Sequence, residues 1–289
     1  MFIGHASIIK NLTCLADAGN LSHGYVFFGP AMIGKRSVAR ALANYIETGI
    51  FEEPKLLQDF LCIEPDEKNT IGINHVRQIK HFLWQKPALS SRRTLVLDNA
   101  ECMTAEAQNA LLKITEEPPA SSLLLLVTSD IDSLNPTVFS RLQKIYFSPV
   151  SESEILEWAA KIFGDGKKIK SAVVKSIGKP GLLRRILEDE DFAVSLDAAE
   201  KISKSSPDKR RDLLKKMMDR DGFDFGKLLD SLILLFSWEF FEKRDFFLWH
   251  ALLKLRHDAA YFNLNPRLQI ESLFSRRGVS SLPDGKVRL

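Results

Sequence analysis

The sequence predicts an α/β domain with a parallel five-stranded sheet and flanking helices, followed by two all-helical domains. Up to about residue 150, short apolar segments alternate with amphipathic helical segments, which is typical of a parallel sheet covered by helices. From Glu152 onward the pattern is almost wholly helical, with Ser151 as the expected N-cap. We therefore expect three domains, at residues 1–150, 151–190 and 191–289.

The sheet is predicted from five apolar segments, each of strand length and bounded by polar or turn-forming residues. The strand candidates are Tyr25–Phe28, Phe60–Ile63, Thr94–Leu97, Leu123–Val127 and Lys144–Phe147.

A glycine-rich loop follows the first strand candidate and reads Gly29-Pro-Ala-Met-Ile-Gly34-Lys35-Arg36. The helical spacing of Val38, Ala39 and Leu42 places it between a strand and a helix, as a phosphate-binding P-loop requires. In such a loop backbone N–H groups surround the phosphates, a lysine reaches the outer ones, and a final Ser or Thr binds Mg²⁺. Arg36 takes that final position, and a guanidinium has no acceptor with which to bind a metal. Ser37 is the nearest hydroxyl.

An acidic site is predicted where the third strand candidate ends. Asp98 follows Leu97 and is the best candidate in the chain for holding magnesium through water. The next residue is Asn99, which cannot act as a base where ATP-hydrolysing proteins commonly carry glutamate. Glu101 is a possible substitute two residues further on. Because the hydroxyl ligand is missing, we assign no metal ion to the chain.

Composition narrows the function classes. The 289 residues are 45% hydrophobic and carry a formal net charge of +3, which is too small to predict nucleic-acid binding. Cys14, Cys62 and Cys102 are far apart, so neither a disulfide framework nor a four-cysteine zinc site is expected. We expect a reduced, cytoplasmic protein. No signal peptide is expected, because residues 1–11 carry His5 and Lys10 and contain no sustained apolar stretch. No membrane span is expected either, because the apolar segment Leu228–Trp238 is short and contains Asp230.

Thr104 is expected to cap a helix that ends at Pro118. The helix and turn, Ala107-Gln-Asn-Ala-Leu-Leu-Lys-Ile-Thr-Glu-Glu-Pro-Pro119, resemble those of bacterial clamp-loader subunits, members of the AAA+ family. Further segments resemble that family in the same order. They are His23–Pro30, Ile71–Arg77, Leu123–Ser129 and Pro136–Arg141. The resemblance therefore covers most of residues 1–150 and implies an AAA+ P-loop domain, a helical lid and a helical collar.

The resemblance implies a role for Arg141, which stands in the family's Ser-Arg-Cys motif. That arginine reaches into the ATP site of a neighbouring subunit and stabilises the transferred phosphoryl group. The alternative is an arginine that anchors its own loop through a carboxylate. Leu142 replaces the motif's cysteine, and we expect this change to leave Arg141 unaffected. Thr128 occupies the sensor position, either as a sensing hydroxyl or as an ordinary strand residue.

Within the family, the chain resembles a subunit that does not hydrolyse ATP rather than the hydrolysing gamma/tau type. Arg36 and Asn99 favour this, as does Gly181, which stands where hydrolysing subunits carry a sensor arginine. Arg184 and Arg185, one helical turn later, could partly compensate. The family's four-cysteine zinc module is missing between Thr48 and Cys62, so no zinc is expected.

These features imply that ATP binds weakly or not at all and that the partners are gamma/tau and delta subunits in a hetero-pentamer. The sliding clamp and primed DNA would be reached through that complex. The rival hypothesis is an active ATPase that uses Ser37 in place of Arg36 and Glu101 in place of Asn99. Seven aromatic residues between Phe236 and Trp249 are expected to fill a helical core, with a share facing another subunit.

Overall fold

The computed structural model describes residues 2–54, 56–219, 223–243, 246–262 and 264–275. Side chains are described outside residues 238–247 and 260–261. The chain divides into two compact units, Met1–Leu183 and Arg184–Leu289. No helix formed by the described residues is long and apolar enough to cross a membrane.

A five-stranded sheet forms the centre of the first unit, and every strand pair in it is parallel. The spatial order is β2-β3-β4-β1-β5. The strands are β1 Gly24–Phe28, β2 Phe60–Ile63, β3 Arg93–Leu97, β4 Ser122–Thr128 and β5 Gln143–Tyr146. The predicted fold class is confirmed, and each strand lies within one residue of its predicted bounds.

Helices cover the sheet and then make up the second unit. In the first unit they are α1 Ala6–Asp17, α2 Lys35–Thr48, α3 Ile73–Leu83, α4 Ala105–Glu116, α5 Pro136–Phe139, α6 Glu152–Phe163 and α7 Lys167–Ser176. The boundary between the units falls within α8 Pro180–Glu188. The remaining helices are α9 Glu190–Lys204, α10 Pro207–Met218, α11 Phe225–Lys243, α12 Phe246–Tyr261 and α13 Pro266–Ser275.

Both faces of the sheet are buried, which explains why its strands read as continuous apolar segments. Leu95 and Leu97 of β3 point into the core that also contains residues of α3 and α4. Val96, between them, points into the opposite core, which contains residues of α1 and α2. The alternation fixes the register, since a shift by one residue would exchange the two faces.

The second unit has its own core, formed by residues of α9 to α13. Phe236 is buried there beside Phe274, with ring centroids 5.9 Å apart, and Trp249 packs against the same core. This accounts for two of the seven aromatic residues singled out by the sequence. The other five lie outside the described side chains: Trp238, Phe240, Phe241, Phe246 and Phe247.

The predicted helix starts have the expected side-chain caps. Thr104 Oγ1 accepts a hydrogen bond from the Ala107 N–H at 3.2 Å, and Ser151 Oγ accepts one from the Glu154 N–H at 3.3 Å. The two prolines after Glu117 end α4, because neither has an N–H to donate and Pro118 restricts the backbone of Glu117. These caps fix where α4 and α6 begin.

A buried carboxylate holds the loop between α3 and β3. Asp59 is 2% exposed and accepts hydrogen bonds from the N–H groups of Ala88, Leu89 and Ser90 at 2.7 to 2.9 Å. The Ser90 hydroxyl donates a further bond to Asp59, and Arg93 Nη2 lies 3.8 Å from Asp59 Oδ1. Burial opposes ionisation of Asp59, but the hydrogen bonds from Ser90, Leu89 and Ala88 hold its pKa below the usual value.

We predict that Asp59→Asn lowers the free energy of unfolding by roughly 2–3 kcal/mol at pH 7, because charged hydrogen bonds to a buried carboxylate are lost. The ionised carboxylate stabilises the fold above about pH 4, and that contribution disappears as the pH falls through the lowered pKa. The difference between variant and native chain should therefore shrink in acid. Urea unfolding from pH 7 down to pH 3 measures it.

The matched control is Asp66→Asn. Asp66 also accepts backbone hydrogen bonds, from Lys68 and Thr70, but it is exposed. Its replacement should cost less than that of Asp59. Equal costs for the two variants, or a cost for Asp59→Asn that is independent of pH, would contradict the assignment.

Candidate functional site

The P-loop adopts the backbone shape that its glycines allow. Gly29 has φ 135° and Gly34 has φ 102°, and Met32 between them also has a positive φ of 64°. A Cβ on Gly29 would lie 2.3 Å from the Phe147 carbonyl oxygen, so no other residue fits there. The loop then enters α2, whose first N–H groups have no partner within the helix.

Residues from distant parts of the first unit bind the loop's carbonyl oxygens. The His5 ring donates from Nε2 to the Ile33 carbonyl at 3.0 Å, and the Gly181 N–H donates to that of Met32 at 2.9 Å. Lys35 turns back into its own loop, where Nζ donates to the carbonyls of Gly29 at 2.8 Å and Pro30 at 2.6 Å. The loop is thus bonded internally and to two neighbouring segments.

Charged groups of both signs act on Lys35. Burial lowers the pKa of Lys35 below its usual value, and the charges of Glu101 and Asp98 act in the opposite direction. The charge of Lys179, just before α8, lowers it further. The site therefore brings together two lysines and two carboxylates around one loop.

Arg36 forms an ion pair with the predicted magnesium residue. Its Nη1 lies 3.3 Å from Asp98 Oδ2, and its Nη2 donates to Glu64 Oε1. Asp98 is 7% exposed. Burial raises the pKa of Asp98, while the positive charge of Arg36 acts to lower it.

These residues do not fit a magnesium ion. The guanidinium takes the carboxylate oxygen that would face a metal, and the P-loop hydroxyl that would be a ligand is replaced by the arginine itself. Ser37 is half-buried one residue further along α2. Within the described part of the chain, no group of three or more His, Cys, Asp or Glu side chains is arranged to hold a metal ion.

Glu101 is held by hydrogen bonds rather than left available as a base. It lies in a 3₁₀ turn at Ala100–Cys102 and accepts bonds from the backbone N–H of Ser129, at 3.2 Å, and from the Ser129 hydroxyl. Although burial opposes ionisation of Glu101, the hydrogen bonds from Ser129 hold its pKa below the usual value. A lowered pKa makes a carboxylate a weaker base, which disfavours the substitution of Glu101 for a catalytic glutamate.

Thr128 is the last residue of β4 and lies opposite Phe28, the residue before the P-loop. Its side chain is buried. The hydroxyl donates to the Asp130 carbonyl at 2.9 Å and accepts from the Asp130 N–H at 3.1 Å. These bonds direct the hydroxyl toward its own turn.

Gly181 packs directly against the P-loop. A Cβ on it would lie 2.9 Å from the Met32 carbonyl oxygen and 3.2 Å from Met32 Cβ, so the contact needs a glycine. A sensor arginine at this position would force α8 away from the loop. Arg184 and Arg185 pair with Glu188 at 3.4 Å and Asp189 at 3.5 Å, within the second unit.

Arg141 lies at the amino ends of the parallel strands, whereas the P-loop lies at their carboxyl ends. Phe28 ends β1 just before the P-loop, whereas Arg141 precedes the start of β5, where Gln143 is opposite Tyr25. Because the strands are parallel, the two sites are separated by on the order of 13 Å along the strand direction. Arg141 Nη1 donates to the Thr137 carbonyl at 2.6 Å, and Nη2 lies 2.9 Å from Glu116 Oε1. The carboxylate partner of the alternative interpretation is therefore present.

Leu142 anchors the chain beside Arg141. Its side chain is buried in the core on the α3 and α4 side of the sheet. A Cβ on Gly24 would lie 2.5 Å from Leu142 Cδ2, so a small residue of β1 accommodates the large one that follows Arg141. The substitution of leucine for the motif's cysteine thus involves packing next to Gly24.

The predicted site residues fall into two groups. One group surrounds the carboxyl edge of the sheet: Gly29, Gly34, Lys35, Arg36, Ser37, Asp98 and Thr128. Arg141 lies apart from them. Sequence analysis missed three side chains that bind the P-loop, Arg36 or Arg141, namely His5, Glu64 and Glu116. Only Glu64 had a signal, because it directly follows β2 just as Asp98 follows β3.

The first half of the chain matches a known protein family. The family model described as DNA polymerase III, delta subunit, matches residues 4–151. The DNA polymerase III subunit delta' of Pseudomonas aeruginosa is 31% identical over 182 residues, which cover 57% of this chain and 56% of that protein. The subunit gamma/tau of Mycobacterium bovis is 29% identical over 153 residues, 48% of this chain and 26% of that protein.

These matches span only about half, or less, of the curated relatives' length. Among solved structures, a DNA polymerase III gamma subunit-related protein of Thermotoga maritima has a TM-score of 0.63 at 22% identity. The superposition covers 92% of this chain and 97% of that one. This likeness concerns the fold alone, and it confirms the AAA+ fold that the sequence motifs imply.

We predict that Arg36→Thr makes nucleotide binding sensitive to magnesium. The substitution restores a hydroxyl ligand and releases Asp98 from its guanidinium partner, so Mg²⁺ should tighten the binding of labelled ATP to the variant and not to the native chain. Fluorescence titration with and without Mg²⁺ measures this. Arg40→Thr is the control, because Arg40 lies one turn further along α2 and pairs with Glu53. Magnesium-dependent binding to the native chain would contradict the interpretation.

Proposed function

Because the chain belongs to the DNA polymerase III, delta subunit, family, we propose that it is a delta prime-type subunit of a clamp loader. In this role it is a stator, a subunit that keeps the AAA+ fold without driving the cycle by its own ATP hydrolysis. It supplies Arg141 to the ATP site of a neighbouring subunit. Through the complex it helps to load a sliding clamp onto primed DNA.

The observation that carries the proposal is the ion pair between Arg36 and Asp98. A phosphate-binding site that hydrolyses ATP with magnesium needs its acidic residue free to hold the ion through water. Here a guanidinium occupies that carboxylate, Glu101 is engaged by Ser129, and Asn99 cannot accept a proton. ATP is therefore bound weakly or not at all, and its hydrolysis by this chain is at background level.

The location of Arg141 supports a function in trans. It lies at the amino edge of the parallel sheet, away from the P-loop at the carboxyl edge, so it cannot reach phosphates bound to its own loop. Its side chain is 38% exposed and is thus open to another protein. An arginine stabilises a transferred phosphoryl group through its fixed fork of N–H donors.

The proposed partners follow from this function. They are gamma/tau and delta subunits in a hetero-pentamer, which places the chain in the cytoplasm with the replication machinery. Residues 151–190 would form the lid over the P-loop domain, and residues 191–289 a collar that holds the subunits together. The hydrogen bond from Gly181 to Met32 gives such a lid a fixed contact with the P-loop. No zinc is part of this proposal.

A second candidate is the hydrolysing gamma/tau-type subunit. It is favoured by the 29% identity to the gamma/tau protein and by the retained Lys35. It requires Ser37 to replace the missing hydroxyl and Glu101 to leave Ser129. Measurements of ATP turnover separate the two candidates.

We predict that the isolated chain hydrolyses ATP at a rate indistinguishable from that of Lys35→Ala. Arg36 pairs with Asp98 and Glu101 is bonded to Ser129, so we expect Lys35 to contribute nothing to hydrolysis. A coupled phosphate-release assay with saturating Mg²⁺ measures both proteins. Rapid magnesium-dependent turnover that disappears in Lys35→Ala would establish the gamma/tau-type candidate instead.

We further predict that Arg141→Ala leaves the fold intact and lowers ATP hydrolysis by the reconstituted complex. Loss of an arginine finger should slow the site that it completes by on the order of 10³-fold, so total turnover falls by that site's share. Arg77→Ala is the control, since Arg77 is an exposed arginine on α3 whose side chain donates to nearby Asn74. If both variants retain full complex activity, Arg141 has no role in trans.

A further inference from the structure

Glu116 and Arg141 form an ion pair at the surface of the first unit. The guanidinium Nη2 lies 2.9 Å from Glu116 Oε1, and Nη1 donates to the Thr137 carbonyl at 2.6 Å. The two side chains are 38% and 48% exposed. Among the described residues these two acceptors engage two of the five guanidinium N–H donors, so the other three remain for another acceptor.

The loop that carries Arg141 is anchored without this ion pair. Gln108 of α4 is buried, and its Oε1 accepts from the Asn135 N–H at 2.6 Å while its Nε2 donates to the Ser133 carbonyl at 3.2 Å. The loop also buries three apolar side chains in the core: Leu134, Val138 and Leu142. Exposed ion pairs contribute little to stability, so anchoring the loop does not account for the pair.

The backbone around Glu116 is restrained by the turn that follows α4. It is the last residue of α4, where the helix dipole disfavours a negative charge unless a cation is close. The prolines that follow restrict the turn, and the Pro119 carbonyl accepts bonds from the Ser122 N–H at 3.0 Å and from its hydroxyl at 2.7 Å. A restrained stretch of backbone therefore places the Glu116 carboxylate beside the Arg141 guanidinium.

We propose that Glu116 is a positioning residue for Arg141, which holds the guanidinium ordered with its remaining donors available to a phosphate in the neighbouring ATP site. This inference rests on the proposed function in trans. A long arginine side chain loses rotamer freedom when it binds, and a partner that orders it beforehand removes part of that cost. Glu116 thereby increases the fraction of Arg141 side chains in the productive geometry.

The test compares Glu116→Gln, Arg141→Ala and the double variant in the reconstituted clamp-loader complex. Glu116→Gln should lower kcat for the site that Arg141 completes roughly tenfold, because misplaced catalytic groups lose rate, and should leave KM for ATP unchanged. In the Arg141→Ala background it should have no further effect. Glu117→Gln is the matched control, since the exposed Glu117 side chain has no partner among the described residues.

A second measurement needs only the isolated full chain. The ¹⁵N relaxation of the Arg141 Nε–H should show an ordered side chain in the native protein and in Glu117→Gln, and a mobile one in Glu116→Gln. Thermal unfolding of Glu116→Gln should match that of the native chain, because both side chains are exposed. Unchanged Arg141 mobility in Glu116→Gln would overturn the inference.

The kinetic outcomes also distinguish the inference from the function beneath it. If Arg141→Ala slows the complex and Glu116→Gln leaves it unchanged or faster, the positioning role is wrong and the proposed function stands. An equal loss from Glu116→Gln with and without Arg141 would assign Glu116 to assembly and overturn the inference. If Arg141→Ala has no effect, both the proposed function and the inference fail.

Discussion

The proposed function of this chain depends on the ion pair between Arg36 and Asp98. The parallel sheet brings the P-loop, Asp98 and Glu64 to one edge, where a hydrolysing protein would collect phosphate, metal and base. In this chain a guanidinium lies among the carboxylates. A positive charge is thereby supplied by a side chain that has no acceptor and cannot itself be a magnesium ligand. The backbone of a nucleotide site is retained, while Arg36 pairs with Asp98 and stands in place of the hydroxyl that would bind magnesium.

The surrounding contacts agree with this account. Gly181 approaches Met32 more closely than any side chain allows, and His5 binds the same loop from the amino-terminal segment. A loop that must open and close around a nucleotide would gain little from such fixed partners. At the amino ends of the strands, Arg141 is exposed and bonded to Thr137 and Glu116. The occupied P-loop site at the carboxyl ends of the strands and the exposed Arg141 at their amino ends both support the proposed stator function.

Sequence predicted most of the fold because the strands are apolar on both faces and the helix caps are local. Thr104 and Ser151 bond to groups three residues away, so the pattern alone identifies them. It could not predict contacts that depend on the assembled sheet. Arg36 meets Glu64 across 28 residues and Arg141 meets Glu116 across 25, and neither pair follows a helix or strand period. The need for glycine at position 181 appears only once α8 lies against Met32.

The most direct test of the account is a structure of the assembled clamp loader bound to a non-hydrolysable ATP analogue, with attention to the two edges of this chain. We expect the Arg141 guanidinium to lie about 2.7–2.9 Å from a terminal phosphate oxygen held by the neighbouring subunit. We expect Arg36 to remain paired with Asp98 in the same complex. A magnesium-bound nucleotide in this chain's own P-loop, with Arg141 facing solvent, would contradict the account.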